Sequence, residues 1–285
     1  MFKRTLITAA LALFLLPTFA QHSLLYKISG KGLKQPSYLY GTIHMICPDD
    51  FFLSAHLKEA FSASKTIYLE MDMDDPEMMG KLMQSMQEKK DGYSLQNVFK
   101  PKDYEKLSRY FKDSIGMDVS MFKTMKPMIL LSAVMMKSLN CDKPASYEGT
   151  FIEMAKEQQK PIEGLESMEK QVAVFDAIPD STESIMIMDY INNLPKQKAL
   201  FSKMVGAYKR QDITEIHEYL KESPELAGFE DIMVYDRNRN WIPVIEKAAT
   251  KETTLIACGA MHLGGDEGVV SLLRKKGYTV EPVLK

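Results

Sequence analysis

The pattern that most constrains this chain occurs twice. Near each end, a run rich in β-branched and aromatic residues leads into a glycine that is followed three positions later by a histidine. The first is Tyr38-Leu39-Tyr40-Gly41-Thr42-Ile43-His44, and the second closes on Cys258-Gly259-Ala260-Met261-His262. Short runs of this composition bounded by turn-forming residues read as strands. Residues 24–28 and 38–43 predict a hairpin across the Gly/Lys/Pro turn at 30–36, followed by a helix at 54–63 with Ser54 as N-cap and a strand at 66–70. At the other end, 253–257 predicts a strand, 264–276 a helix, and 278–281 a strand stopped by Pro282. Both ends therefore read β-α-β, like halves of a pseudo-repeat that share one sheet.

Between them, from about 75 to 249, helical patterning dominates. This segment contains Met78, Met79, Met83 and Met86, an apolar helix around 129–139, and Pro127, Pro144, Pro161 and Pro179 as punctuation, with one short strand expected at 161–165. Methionine at helical spacing is chiefly adaptable packing, with a peptide-binding surface as the other reading. The expected fold is α/β: a central mixed sheet built from two β-α-β units at the N- and C-terminal ends, with a large helical insertion between them.

Composition narrows the partners. In 285 residues, 36 basic and 38 acidic side chains leave a formal charge of -2, and no Lys/Arg block tracks a phosphate backbone, so nucleic acid is excluded as a partner. Lys3 and Arg4 precede an apolar run at 6–16 that ends in Thr18-Phe19-Ala20, the form of an export signal. Cleavage is expected after Ala20, leaving 21–285 as a single periplasmic or secreted domain; an uncleaved anchor is the alternative. No cysteine follows the run to take a lipid, and no later stretch reaches the ~20 apolar residues of a spanning helix. Cys47, Cys141 and Cys258 allow at most one intramolecular bridge. Cys47 and Cys258 lie near the motif histidines, where pairing, metal ligation and simple burial are all open.

Of the five histidines, His22, His56 and His217 occupy terminal or amphipathic settings, whereas His44 and His262 each follow a strand and a glycine by the same interval. Gly41 and Gly259 would let the backbone turn tightly at the carboxyl end of a strand, the edge where open α/β sheets bind ligands. Glu70 ends the next strand. If that strand is parallel to the first, as a β-α-β crossover requires, its carboxylate reaches the same edge. Two imidazoles and a carboxylate suit a divalent metal ion, with Mn, Co and Zn all open, that activates water against a polarised carbonyl.

These motifs resemble those of the TraB/GumN/Tiki family. The segment at 38–44 is similar to its opening motif, and Gly164-Leu165-Glu166-Ser167-Met168-Glu169-Lys170-Gln171 to its Gly-Leu-Glu-Thr-x-x-x-Gln segment. Asp236-Arg237-Asn238 is similar to its Glu-Arg-Asn, and 258–263 to its closing Gly-x-x-His. The resemblance implies an exported or membrane-associated protein in which His44, Glu70 and His262 are essential, and in its Tiki branch a metal-dependent protease with a peptide or protein substrate. Ser167, Asp236 and Glu148 depart from the Thr, Glu and Asp that relatives tend to carry. Arg237 would clamp a substrate carboxylate or oxyanion, or form a salt bridge at a helix start; Asn238 would orient water or substrate. Glu166 and Gln171 would brace the insertion against the sheet or hydrogen-bond a metal-bound histidine. A second acid or base falls to Glu166 or Glu148 if either comes within reach. Glu281, at the corresponding place in the second unit, is expected to be exposed. The function expected is an exported metal-dependent hydrolase, a peptidase; the alternatives are a non-catalytic haem binder using His44 or His262 as axial ligand, and a module that sequesters peptide on its helices.

Overall fold

The computed structural model describes residues 23–73, 77–223 and 228–284. The expected export signal, its cleavage point and His22 lie outside these residues, as do the side chains of Met78 and Met79. The described strands are β1 (Leu25–Ser29), β2 (Ser37–Thr42), β3 (Thr66–Leu69), β4 (Ile162–Gly164), β5 (Thr254–Gly259) and β6 (Thr279–Pro282). They form one mixed sheet in the order β4-β3-β5-β2-β1-β6. β1 pairs antiparallel with β2, as the predicted hairpin requires, and with β6 on its other side. β2, β3 and β4 run parallel to β5.

The two β-α-β units do share a sheet, but they interleave. β5 inserts between β2 and β3, while β6 lies at the far edge beyond β1. Burial explains the placement: Thr254 to Cys258 are all buried, as a strand covered on both faces requires, whereas β6 alternates exposed and buried residues and leaves Glu281 in solvent. Period-two alternation divides the sheet's side chains between two layers. Leu25, Tyr40, Leu255 and Ala257 face one layer; Tyr26, Leu39, Ile256 and Cys258 face the other.

The described helices are α1 (Ala55–Ala63), α2 (Met78–Ser85), α3 (Leu95–Val98), α4 (Pro101–Tyr110), α5 (Met128–Met136), α6 (Tyr147–Glu157), α7 (Met168–Asp176), α8 (Asp180–Asn192), α9 (Leu194–Arg210), α10 (Ile213–Glu222), α11 (Asp236–Lys251) and α12 (Val269–Lys275). Ser54 caps α1 as expected, its side chain accepting from the Leu57 N–H. The intervening helices are not set apart from the sheet. α6, α9 and α10 join α1 over one face through Tyr147, Phe151, Tyr208 and Ile216, and α11 joins α12 over the other through Trp241, Ile242 and Ile245. A third apolar cluster, on α3, α4, α5 and α8, packs on itself. No helix among the described residues is long and apolar enough to cross a membrane.

One expectation is corrected: the last helix begins at Val269 rather than 264. Gly265 has a φ of +78°, outside the helical range, and a Cβ on Gly264 would meet the Ile213 carbonyl oxygen at 2.5 Å and one on Gly268 the Gly264 oxygen at 2.2 Å. Of the readings left open for the cysteines, Cys47 bonds Cys141 and Cys258 is free and buried on β5 in the layer beneath α11 and α12, where burial pushes its thiol well above the usual range.

Candidate active site

Parallel pairing brings the carboxyl ends of β2, β5 and β3 to one edge, with Thr42 opposite Gly259. His44 lies two residues past β2, Glu70 one residue past β3, and His262 in the short 3-10 turn Ala260–His262 that follows β5. The predicted trio is therefore together: Glu70 Oε1 lies 4.0 Å from His44 Nε2. The glycines serve a different purpose from the tight turn expected of them, since neither has a positive φ. A Cβ on Gly41 would press on Ala260 Cα and Leu263 Cδ2 at 3.1 Å each, so glycine lets the second turn lie against the first. A Cβ on Gly259 would stand 3.4 Å from Glu70 Oε1, 3.5 Å from His262 Cδ2 and 3.9 Å from His44 Nε2. The side chain that Gly259 lacks would fill the space those three residues enclose.

Each member of the trio is held by others. Glu70 Oε1 accepts from the Gly259 N–H at 2.8 Å, and Oε2 accepts from Arg237 Nη2 at 2.5 Å and Gln171 Nε2 at 3.3 Å. Burial alone would raise the Glu70 carboxyl; the charge of Arg237, with His44 and the backbone donor of Gly259, outweighs it and holds the group far below the usual carboxylate range. His262 donates from Nδ1 to Asn238 Oδ1 at 2.6 Å, which leaves its Nε2 lone pair facing Arg237 Nη1 at 3.4 Å. Burial and the neighbouring cation depress His262 to about 3, so it is neutral. Trp241 covers its ring at a centroid distance of 4.5 Å. His44 stands at the mouth with its side chain 64% exposed. Burial of the site opposes its charge, but the hydrogen bond with Glu148 and the carboxylates of Glu70 and Glu148 prevail and raise it to about 9.

The structure decides between the open readings for the surrounding residues. Arg237 is a buried bridge: Nε and Nη2 donate to Glu166 Oε1 at 2.8 and 2.6 Å, Nη2 also to Glu70, and Nη1 to the Met233 carbonyl at 3.1 Å. All three guanidinium nitrogens are engaged, which leaves none to clamp a substrate. Asn238 is fully buried and supports the second turn, its Nδ2 donating to the His262 and Glu267 carbonyls at 3.2 and 2.8 Å. Glu166 holds Arg237, and Gln171 holds Glu70. Of the two candidates for a second acid or base, Glu148 enters beside His44 from the start of α6, 104 residues away in the chain. Trp241 carried one usable signal, since it lies four residues after Arg237 on the same helix face, where the guanidinium stacks on it at 4.8 Å.

Among the described residues no group of three His, Cys, Asp or Glu side chains is closed into a coordination shell. The donor set nonetheless suits a divalent cation. Both imidazoles are fixed through Nδ1, as ligating histidines are, and Nε2 of His44 faces Glu70. Glu70, Glu148 and Glu166 outnumber the Arg237 guanidinium and the His44 imidazolium, so the site carries an excess of negative charge. The Gly259 space borders all three donor side chains.

These features define an α/β protein with a polar, carboxylate-rich cluster at the carboxyl edge of its sheet. A family model places it further: residues 24–282 match the TraB/PrgY/gumN family, and the chain belongs to it. It is 22% identical over 250 residues to "Uncharacterized protein YbaP" of Shigella flexneri, covering 84% of this chain and 88% of that one. The Escherichia coli protein of the same name is 22% identical, with 83% and 87% covered. "Metalloprotease TIKI1" of Danio rerio is 20% identical over 303 residues, covering 86% of this chain and 60% of the zebrafish protein. No solved structure matches the chain.

Proposed function

We propose that this protein is an exported metal-dependent hydrolase that cleaves peptide bonds, with His44, Glu70 and His262 holding the cation. The observation that carries the reading is the convergence of these side chains on the space left by Gly259. Similarity to a protein named as a metalloprotease supports it. The Cys47–Cys141 bridge fits an oxidising compartment, periplasmic or extracellular. A divalent ion held there would polarise a substrate carbonyl and lower the pKa of water. The chain's own groups prepare the site: Arg237 keeps Glu70 ionised, and Asn238 keeps the Nε2 lone pair of neutral His262 turned inward. His44, open to solvent, is the residue an incoming peptide meets first.

The test is elemental analysis of freshly purified mature protein, circular dichroism, and cleavage of a mixed peptide library with and without chelator. His44→Ala, Glu70→Ala and His262→Ala should each lose the metal and cleavage. Gly259→Ala is the sharper variant. Its φ of -51° is ordinary for alanine and its Cβ would meet only van der Waals contacts, so the fold should persist while the cation is displaced. Normal metal content in all four variants would end the proposal, and a Soret band in place of a divalent metal would transfer it to haem binding.

A further inference from the structure

His44 is the exposed member of the trio and sits on a connection, so some other part of the molecule must fix its ring. Glu70 does not bond it, at 4.0 Å. Glu148 does: its Oε1 lies 3.1 Å from His44 Nδ1 and also accepts from Thr42 Oγ1 at 2.7 Å, while Oε2 accepts from Ser146 Oγ at 3.2 Å. The carboxylate is nearly buried, at 9% exposure. A glutamate placed merely to favour the start of α6 through the helix dipole would face solvent, and Ser146 already caps that helix by accepting from the Gly149 N–H. Burying a carboxylate against an imidazole and two hydroxyls makes sense when the imidazole must be oriented. An acceptor on Nδ1 leaves Nε2 directed at Glu70 and the Gly259 space.

The backbone around this pair is tied with matching care. Three residues past His44, Cys47 is bridged to Cys141, across 94 residues of chain. Between bridge and pair, Ile46 and Ala145 exchange two backbone hydrogen bonds, at 3.0 and 2.8 Å, as an isolated antiparallel bridge. The segment that delivers His44 and the segment that delivers Glu148 are thus joined at three successive places.

We propose that Glu148 is the positioning residue for His44 and that the Cys47–Cys141 disulfide sets the separation at which the two meet. The inference rests on the preceding reading only for the task that His44 performs; the pairing can be tested without it. The first measurement is proton NMR of metal-free protein, following the Nδ1-bound proton of His44, which a carboxylate acceptor shifts downfield and protects from exchange. That resonance should be present in the parent, identified by its loss in His44→Ala, absent in Glu148→Ala and retained, weaker, in Glu148→Asp. The second is peptide hydrolysis: Glu148→Ala should lower kcat roughly 10- to 100-fold with little change in KM, and Glu148→Asp should recover part of it. The Cys47→Ser/Cys141→Ser double variant should broaden the resonance and lower kcat by a smaller factor; if it does not fold, the Glu148 variants carry the test. An unchanged resonance in Glu148→Ala would overturn the pairing. So would unchanged kcat in Glu148→Ala where His44→Ala abolishes it. A resonance that depends on Glu148 in a protein without hydrolytic activity would uphold the pairing while removing the proposed function.

Discussion

Two buried glutamates in different parts of the molecule are pushed in opposite directions. Glu70, at the sheet edge, bonds Arg237 and is held strongly ionised. Glu183, on α8 within the helical region, accepts the Met128 N–H at 3.0 Å, and burial together with the charge of Asp180 raises it to about 7. Lys126, whose charge reaches it most directly, is bonded instead to Asp176. Desolvation is common to both; what differs is a guanidinium in contact. Glu70 is kept charged by a buried arginine that is itself braced by Glu166, whereas Glu183 accepts from the first turn of α5 and is held toward its neutral form.

The contrast can be broken most severely at its cation. Arg237→Met should destabilise the fold by about 3–5 kcal/mol at neutral pH, because Glu70 and Glu166 are left buried without a partner. Denaturant unfolding should show this penalty shrinking toward pH 4, where carboxylates without a cation take up protons. An equal penalty at both pH values would mean that the arginine matters for packing alone.

Next in size is Glu183. Its folded-state pKa lies above its unfolded value of 4.5, so the stability it contributes is complete below that value and is lost as pH rises through about 7. The loss should reach roughly 3 kcal/mol, at ~1.4 kcal/mol per pKa unit. Glu183→Gln should remove that part of the slope and unfold later than the parent above pH 8. Identical pH profiles in the two proteins would refute the assignment.

Smaller effects sharpen the picture at the second turn. Asn238→Ala strips Nδ1 of His262 and two carbonyls of their partner, which should cost about 1–3 kcal/mol and weaken metal retention. Retention equal to the parent's in equilibrium dialysis would show that His262 needs no support. His217 packs against Gly264 and Gly265 behind the same turn, with its Nδ1 buried. His217→Ala should lower stability by about 1 kcal/mol and leave metal content untouched, since it removes packing and no donor. Lost metal would place His217 in the site.

Much of this was legible beforehand, because it depends on local periodicity. β-Branched and aromatic runs bounded by turn residues marked the strands, Ser54 marked a helix start, and the β-α-β order required β2 and β3 to be parallel, which sufficed to deliver His44 and Glu70 to one edge. What the two glycines do was not legible. Gly-x-x-His suggests a turn that needs conformational freedom, yet both residues have ordinary φ values, and their lack of a side chain matters only because of what lies across from them. The Cys47–Cys141 pairing and the place of Glu148 beside His44 were equally hidden, for nothing within either local segment points to the other.

The sequence by itself determined the α/β class and the sheet edge, because strand direction follows from short-range backbone geometry, and its repeated Gly-x-x-His with a strand-end Glu singled out the three side chains that meet there. Only the tertiary structure decided the electrostatics: which carboxylate stays charged, which histidine stays neutral, and which glutamate orients the exposed ring. Those outcomes depend on burial and on charges brought within a few ångströms from far along the chain, and no local pattern encodes that distance.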